Sequence, residues 1–326
     1  MKIKDIGEQG LLKKLHSFCP HDIIGDDAAV LSLDAQKQLV VTTDVLVDGV
    51  HFSDITTPPN SVGWRAIAAN LSDLAAMGAS PLAVTVGLAL QGELSVNWVE
   101  QMYQGMTSLL TGYDTPIVGG DICCSRLTTI SITALGQVNP NHVIKRSTAQ
   151  PGEVIVVTGV HGMSRGGLEL LLNPSLGTHL TQQQGNRLIS AHQYPQPRLD
   201  LLPHLWEMME TTVITGMDSS DGLVDAVLQI CALSGVGAQI ELSSLPSIST
   251  ISQWFGAEQA LNWVLYGGED FELVLCLAEE KAKILVEIVG EEAKIIGKIV
   301  AEKSVRLIDG NRQQSLNLGK TFQHFS

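Results

Sequence analysis

Six short segments of the chain carry acidic side chains beside glycine, serine or threonine, and each lies close to a β-type run. These segments are Gly25-Asp26-Asp27, Thr42-Thr43-Asp44, Asn70-Leu71-Ser72-Asp73, Gly119-Gly120-Asp121, Asp218-Ser219-Ser220-Asp221-Gly222 and Gly267-Gly268-Glu269-Asp270. Carboxylates that a fold brings together repel one another unless cations lie between them. Hard oxygen ligands suit Mg²⁺, which keeps several waters and completes its shell with substrate phosphates. The pattern predicts an enzyme that uses Mg²⁺ and a nucleotide.

The segment with Asn70 and Asp73 falls in a predicted helix, residues 62 to 77, that is otherwise rich in Ala and Leu. Residues three positions apart share one face of a helix, so both polar side chains point the same way. An unpaired carboxylate at such a place is costly, and Asp73 therefore needs a cation, a salt bridge or water. Arg65 is the structural alternative, although it lies about two turns away.

The other motifs also have ordinary structural explanations, which the sequence leaves open. Gly25-Asp26-Asp27 is typical of a turn, and Asp218 to Asp221 is typical of a helix N-cap. Glu269 resembles the exposed charges of most surfaces, and a lone His51 is more often a surface residue than a ligand. However, residues 218 to 221 contain two acids and two hydroxyls, which is more than one helix cap requires. Glycines 119 and 120 would let a phosphate approach the backbone, and Lys145-Arg146 would supply charge for one.

Motifs of several other nucleotide enzymes are missing from the sequence. Gly319-Lys320-Thr321 resembles the end of a P-loop, but Gln occupies position 314 where that motif requires Gly. The sequence also lacks a His-Arg-Asp catalytic loop, a Gly-x-Ser-x-Gly elbow and a Gly-x-Gly-x-x-Gly fingerprint. Phosphates would then be held mainly through metal.

The composition limits the possible partners. The chain has 326 residues, with 34 acidic and 20 basic side chains, and its formal net charge is −14. This balance argues against binding to nucleic acid or to an anionic membrane. We expect a cytoplasmic protein, because neither a signal peptide nor a membrane span is evident. Its five cysteines lack paired spacing, which favours reduced thiols over disulfides or zinc.

Alternating strand and helix patterns predict two α/β domains with mixed sheets, residues 1–138 and 151–326, with the boundary near residues 139 to 151. We assign the first domain to metal and ATP binding and the second to completing the active site. Expected strands include Ala29 to Leu33, directly after Gly25-Asp26-Asp27. The polar stretch from Thr181 to Gly185 is expected to form a surface loop.

Taken in order, the six motifs resemble the thiamine-monophosphate kinase family over nearly the whole chain, with the third motif extended as Asn70-Leu71-Ser72-Asp73-Leu74-Ala75-Ala76-Met77-Gly78-Ala79. That family belongs to the aminoimidazole ribonucleotide synthetase-like superfamily. The resemblance implies two α/β domains and a homodimer joined by a β-barrel of N-terminal-domain strands. It also implies that ATP phosphorylates thiamine monophosphate to thiamine diphosphate, with several Mg²⁺ ions.

The resemblance further implies roles for individual residues. Asp44, Asp73 and Asp121 would be catalytic, and the metal ligands would be Asp27, Thr42, Thr43, Asp44, Asp73, Asp121, Asp218 and Asp221. ATP would contact Gly120, Asp121, Arg146 and Ser220. Thiamine monophosphate would contact His51 and Glu269. The family places an aromatic residue near the C-terminus against the substrate rings, and Gly319 stands at that position here. Either Phe322, the expected substrate contact, substitutes for it or the stacking is lost.

Two alternatives remain at this stage. The chain could be another ATP-using enzyme of the superfamily, or a catalytically silent protein that binds Mg²⁺ and nucleotide. Within the superfamily, selenophosphate synthetase and the hydrogenase-maturation dehydratase use catalytic sulfur near a terminus. This chain has no C-terminal cysteine and only Cys19 early in the sequence.

Overall fold

The computed structural model describes residues 1–20, 23, 28–210, 212–246 and 248–317. These residues divide into two compact units. Unit 1 comprises Met1–Leu74 and Ala79–Pro140, and unit 2 comprises Ala75–Gly78 with the described residues from Asn141 onward.

Unit 1 is a four-stranded sheet with helices. In chain order its elements are α1 (Ile3–Leu15), β1 (Gln38–Val47), α2 (Pro59–Ala76), β2 (Ser80–Leu90), α3 (Val96–Thr111), β3 (Ile117–Cys124) and β4 (Thr129–Val138). The sheet order is β1-β4-β2-β3, with β2 and β3 parallel and the other neighbours antiparallel. The sheet is therefore mixed, as predicted.

The two faces of this sheet differ in burial because side chains alternate along each strand. Ile132 on β4 and Val86 on β2 are buried on the face that packs against α2 and α3. Leu39, Val41 and Val45 on β1 point to the opposite face and are 48%, 55% and 46% exposed. We call this second surface the outer face. The strands form an open sheet in the single chain, so the barrel implied by the resemblance stays a prediction about a dimer.

Helices α2 and α3 cross in backbone contact. A Cβ atom added to Gly63 of α2 would lie 1.8 Å from the carbonyl oxygen of Met102, and one added to Gly105 of α3 would lie 1.8 Å from that of Asn60. Each helix thus presents a glycine to the backbone of the other. Only residues without a side chain permit this separation.

Unit 2 is built on a seven-stranded mixed sheet. Its elements are β5 (Val154–Val157), α4 (Met163–Leu172), α5 (Gln182–Gln193), α6 (Leu202–Met209), β6 (Thr215–Asp218), α7 (Leu223–Ser234), β7 (Gly237–Glu241), α8 (Ile248–Phe255), α9 (Ala257–Tyr266), β8 (Leu273–Leu277), α10 (Glu279–Val289), β9 (Lys294–Val300), β10 (Val305–Asp309) and β11 (Arg312–Ser315). The strand order is β11-β10-β7-β9-β5-β8-β6. One buried core joins the sheet to α4, α5, α7, α8 and α9, with Trp263 and Leu188 among its larger members.

Two expectations about local structure are wrong. Residues 29–33 form no strand, although their composition is β-like, because they pair with no other strand of the described chain. The polar stretch from Thr181 to Gly185 begins helix α5 instead of forming a loop. The Thr181 hydroxyl accepts a hydrogen bond from the Gln184 amide, and the Gln184 side chain accepts one from the Thr181 amide. This capping box explains how so polar a segment starts a helix.

No helix in the described part of the chain combines the length and the apolar character needed to cross a bilayer.

We predict that Gly105→Ala lowers the free energy of unfolding by ~3 kcal/mol, because the new methyl group would overlap the Asn60 carbonyl and push α2 from α3. Urea unfolding followed by circular dichroism measures the effect. Gly112→Ala at the end of α3 is the matched control, since its added Cβ would meet nothing nearer than 3.4 Å. Equal unfolding midpoints for the two variants would contradict the close crossing.

Candidate functional site

Two polar contacts join β1 to α2 in unit 1. The Thr42 hydroxyl donates a hydrogen bond to the Asp73 carboxylate. The backbone amide of Asp44 donates to the side-chain oxygen of Asn70 over 3.2 Å. Thr42 and Asp44 lie on the same face of the strand, and Asn70 and Asp73 lie three positions apart on the helix. The structure therefore brings the second and third motifs together.

His51 lies beside the end of β1. Its Nδ1 atom accepts a 3.0 Å hydrogen bond from the backbone amide of Val47, so the proton of the neutral ring is on Nε2. Arg65 donates to the backbone carbonyl oxygen of His51 over 3.3 Å. Arg65, which the sequence offered as a structural partner for Asp73, thus contacts the loop that contains His51.

Thr43 and Asp121 lie on the outer face. The Thr43 hydroxyl is 2.9 Å from that of Thr133 on β4, on the side of β1 opposite Asp44. Asp121 pairs with Gly87 in the row that contains Ser131 and Val45. Three strand spacings, about 14 Å, separate β1 from β3. Within the described ranges, no three His, Cys, Asp or Glu side chains form a group that could hold a metal ion.

Gly120 has a structural reason to be glycine. An added Cβ atom would lie 2.0 Å from the Val86 carbonyl oxygen on the neighbouring strand. The register between β2 and β3 also shifts between Val84 and Thr85, just before this contact. Close approach of two strands therefore accounts for Gly120, whether or not a phosphate also approaches it.

A cavity of about 470 Å³ lies along β3 in unit 1. Its lining includes Gly119, Gly120 and Asp121 from the fourth motif, together with Tyr103 from α3 and Leu12 from α1. Tyr103 is 5% exposed, and burial raises the pKa of its phenol. The sequence analysis missed Tyr103, because no local pattern distinguishes it from other core residues of an amphipathic helix.

The cysteines differ in environment. Cys123 and Cys124 are exposed at the end of β3, whereas Cys231 and Cys276 are buried. Burial raises the pKa of the Cys231 thiol to about 11 and that of Cys276 well above its ordinary value. All five cysteines are free thiols, as expected.

In unit 2 the structure joins the last two motifs through their backbones. The Glu269 amide donates to the Ser220 carbonyl oxygen over 2.7 Å, and the Ser219 amide donates to that of Glu272 over 2.9 Å. The Ser220 hydroxyl lies 3.3 Å from a carboxylate oxygen of Asp218, which is 1% exposed at the end of β6. Asp221 follows in the same loop, before α7.

Residues 268–271 form a turn with unusual backbone angles. Gly268, Glu269 and Phe271 have φ values of 69°, 58° and 53°. This left-handed conformation costs roughly 1–2 kcal/mol for a residue with a Cβ atom. Asp270 anchors the turn, since its carboxylate accepts hydrogen bonds from the backbone amides of Gly162 and Ser164 at the start of α4, over 2.7 and 2.9 Å. Burial raises the pKa of Asp270 to about 7.

Buried polar groups beside residues 268–271 stabilise this turn through hydrogen bonds and an ion pair. The Ser219 hydroxyl donates to the Glu272 carbonyl oxygen and lies 3.0 Å from Nε2 of His161. Burial lowers the pKa of His161 to about 4, so the ring is neutral. The Glu272 carboxylate pairs with Arg198 over 2.7 Å and accepts from the Thr158 hydroxyl. These groups fix the backbone to which the motif residues belong.

Arg146 is held by a separate chain of contacts in unit 2. Its guanidinium donates to the side-chain oxygen of Gln229 over 2.8 Å, and the Gln229 amide donates to the carboxylate of Asp225 over 2.5 Å. The Ser234 hydroxyl donates to the Arg146 carbonyl oxygen. Neither Gln229 nor Asp225 was expected from the sequence, because both resemble ordinary helix residues.

Two of the expected site residues, Asp27 and Phe322, lie outside the described residues.

Comparison with known proteins identifies the family. A model of the N-terminal domain of AIR synthase related proteins matches residues 25–138, and a model of their C-terminal domain matches residues 150–310. A thiamine-monophosphate kinase of Synechococcus elongatus is 50% identical over 327 residues, which cover 99% of this chain and 98% of that relative. The chain belongs to the thiamine-monophosphate kinase family. The resemblance drawn from the six motifs is confirmed.

Solved structures of the thiamine-monophosphate kinase family share the fold. The enzyme from Stenotrophomonas maltophilia is 33% identical with a TM-score of 0.78, covering 92% of this chain and 94% of its own. AaThiL in complex with AMPPCP and TMP is 30% identical with a TM-score of 0.74, covering 97% and 98%. The predicted two-domain α/β fold class is confirmed.

We predict that Asp270 makes stability depend on pH. Because its folded pKa of about 7 exceeds the ordinary value of 3.8, the folded state retains a proton that the unfolded state releases, and stability falls as pH rises between these values. Relative to Asp270→Asn, the unfolding free energy of the wild type should fall by ~3 kcal/mol from pH 4 to pH 8. Urea unfolding at several pH values measures this difference.

Asp309→Asn, which alters an exposed carboxylate on β10, is the control and should follow the wild type. Parallel pH profiles for the wild type and Asp270→Asn would contradict the elevated pKa.

Proposed function

We propose that the chain transfers the γ-phosphoryl group of ATP directly and in line to the phosphate of thiamine monophosphate, with Mg²⁺. As a member of the thiamine-monophosphate kinase family, it is a phosphotransferase that makes thiamine diphosphate. The observation that carries the assignment is the 50% identity, over nearly both full lengths, to a relative of that name. The binding of AMPPCP and TMP by AaThiL supports ATP and thiamine monophosphate as the substrate pair.

The donors where β1 meets α2 suit Mg²⁺. Asp44 and Asp73 offer carboxylates, Thr42 a hydroxyl and Asn70 an amide oxygen, all hard ligands. Protein sites for Mg²⁺ often use only one or two carboxylates and take the remaining ligands from water and phosphate. When bound, the metal neutralises phosphate oxygens and orients the reactants. Asp27, Thr43, Asp121, Asp218 and Asp221 remain the further proposed ligands, for several ions in total.

The reaction needs no strong general base. The acceptor is a phosphate whose second pKa is about 6, so it is largely ionised at neutral pH. Phosphoryl transfer depends chiefly on positioning and on stabilising charge. Asp44 and Asp73 would fix one metal ion and Asp121 a separate one, and the ions together would set the line of attack. Arg146 would add a positive charge beside the ATP phosphates.

We assign the remaining contacts to separate parts of the two substrates. Gly120 and Asp121 line the cavity along β3, whose volume and apolar walls suit a nucleotide base. Ser220 would donate its hydroxyl to ATP. His51 and Glu269 would contact thiamine monophosphate, whose thiazolium ring is a cation that a carboxylate attracts. Phe322 stays the proposed aromatic contact to the rings.

One assay distinguishes this function from the two alternatives that the sequence left open. Another ATP-using reaction of the aminoimidazole ribonucleotide synthetase-like superfamily would consume ATP with a different acceptor. A silent Mg²⁺-nucleotide binder would bind ATP without turnover. Purified protein incubated with Mg²⁺, ATP and thiamine monophosphate should yield thiamine diphosphate and ADP in equal amounts. Failure to form thiamine diphosphate would overturn the proposal.

We predict that Asp44→Asn lowers kcat at least ~100-fold, comparable to losing one strong transition-state contact. The substitution leaves the hydrogen bond to Asn70 intact, because that bond uses the backbone amide of Asp44. Steady-state assays of thiamine diphosphate formation measure the change. Asp34→Asn, at an exposed carboxylate in the loop before β1, is the control and should retain normal turnover. Turnover of folded Asp44→Asn near the wild-type rate would refute the role.

We further propose a cytoplasmic homodimer that binds neither nucleic acid nor membrane. Free cysteines suit a reducing compartment, and the net charge of −14 disfavours polyanionic partners. The outer face of the unit 1 sheet exposes Leu39, Val41 and Val45 in one row. Exposed apolar side chains grouped on one strand face often mark an interface, and pairing of two such faces would generate the barrel implied by the resemblance.

We predict that Val41→Lys converts the dimer to a monomer, because the ammonium group would have to be buried in the paired face. Sedimentation equilibrium measures the mass of the species in solution. Val213→Lys, which alters a 60% exposed valine of unit 2, should remain dimeric. A wild-type monomer, or a Val41→Lys dimer as stable as the wild type, would contradict the proposed interface.

A further inference from the structure

The turn at residues 268–271 fixes the backbone of Glu269 but leaves its side chain to be oriented by other groups. The Glu269 amide donates a hydrogen bond to Ser220, and the Asp270 carboxylate accepts hydrogen bonds from backbone amides at the start of α4. Together with the burial of Phe271, these contacts determine the backbone conformation. Strain in a turn persists only where surrounding contacts over-determine it, and such turns are enriched at functional sites. The Glu269 side chain is 34% exposed and therefore accessible to a ligand.

One buried imidazole faces this carboxylate. His192, on α5, is 2% exposed, and its Nδ1 atom lies 3.7 Å from a carboxylate oxygen of Glu269. The same nitrogen lies 3.3 Å from the hydroxyl of Ser164, which is fully buried in the first turn of α4. The Ser164 amide is in turn held by Asp270, the residue next to Glu269.

The location of the imidazole is fixed by close packing of α4 and α5. A Cβ atom added to Gly167 of α4 would lie 2.1 Å from the Leu188 carbonyl oxygen and 3.0 Å from the His192 Cβ atom. The two helices are thus in backbone contact directly beside His192. The backbone of His192 is therefore held close to α4.

We propose that His192 is a positioning residue that orients the Glu269 carboxylate for thiamine monophosphate. The contacts form a closed circuit. Asp270 accepts a hydrogen bond from the Ser164 amide, and the Ser164 hydroxyl lies beside the His192 ring. The His192 ring in turn faces Glu269, the residue next to Asp270. The inference rests on the proposed function, because Glu269 is there assigned to the substrate. Because the circuit acts through the Glu269 side chain, which is assigned to thiamine monophosphate, we expect its loss to raise KM for thiamine monophosphate and to leave KM for ATP unchanged.

The test compares His192→Leu with His192→Asn. Leucine fills the space without a polar atom, whereas the asparagine side chain can place a polar atom near the position of Nδ1. We expect His192→Leu to raise KM for thiamine monophosphate ~10-fold, with KM for ATP unchanged within about 2-fold, and we expect His192→Asn to recover most of the loss. His179→Leu, at an exposed histidine that bonds the Trp254 carbonyl oxygen, is the control.

A double-mutant cycle isolates the positioning effect. In the background of Glu269→Gln, His192→Leu should add little to the KM for thiamine monophosphate, because the oriented carboxylate is already gone. If His192→Leu folds poorly, Ser164→Ala replaces it in the same cycle. Independent, additive effects would overturn the inference, as would equal increases in both KM values.

The outcomes also separate this inference from the proposed function. A wild-type protein that neither binds nor phosphorylates thiamine monophosphate removes the proposed function itself. A wild type that turns over normally, with a folded His192→Leu variant of unchanged KM for thiamine monophosphate, removes only the role of His192.

Discussion

The crossing of α2 and α3 determines where unit 1 can hold its polar side chains. Two glycines let the helices meet backbone to backbone, and this close packing limits how far α2 can shift against α3. Hydrogen bonds weaken steeply beyond about 3.5 Å, so the contacts from Asn70 and Asp73 to β1 tolerate little displacement of the helix. The candidate metal ligands are therefore positioned by residues that have no side chain and cannot bind anything themselves.

In unit 2, a turn positions the candidate site residues. Between Gly268 and Phe271 the backbone adopts conformations that residues with a Cβ atom rarely occupy. Backbone hydrogen bonds to residues 219 and 220 and the Asp270 carboxylate hold it there. The charge on Asp270 is itself disfavoured by burial, so the site is maintained at some cost to stability. Such a cost is expected where function requires one geometry.

Local patterns in the sequence were sufficient for many elements but not for their contacts. The helix predicted over residues 62 to 77 is found as α2 (Pro59–Ala76), because apolar periodicity acts over a few residues. Helix α5 was missed because its polar first turn resembles a loop unless Thr181 and Gln184 are considered as a capping box. The proximity of His192 to Glu269 depends on how α4 and α5 pack, and the spacing of residues along the sequence does not reveal this packing. The placement of Asp44 and Asp121 on opposite faces depends on strand register.

The neighbouring thiols at the end of β3 lie on different surfaces of the unit 1 sheet. Cys123 pairs with Ala89 in the row that belongs to the outer face, whereas Cys124 pairs with Leu90 on the side of the helices. A small alkylating reagent therefore meets two exposed cysteines on different surfaces. Covering one surface would slow one alkylation and spare the other, so the ratio of the two adducts is independent of reagent concentration.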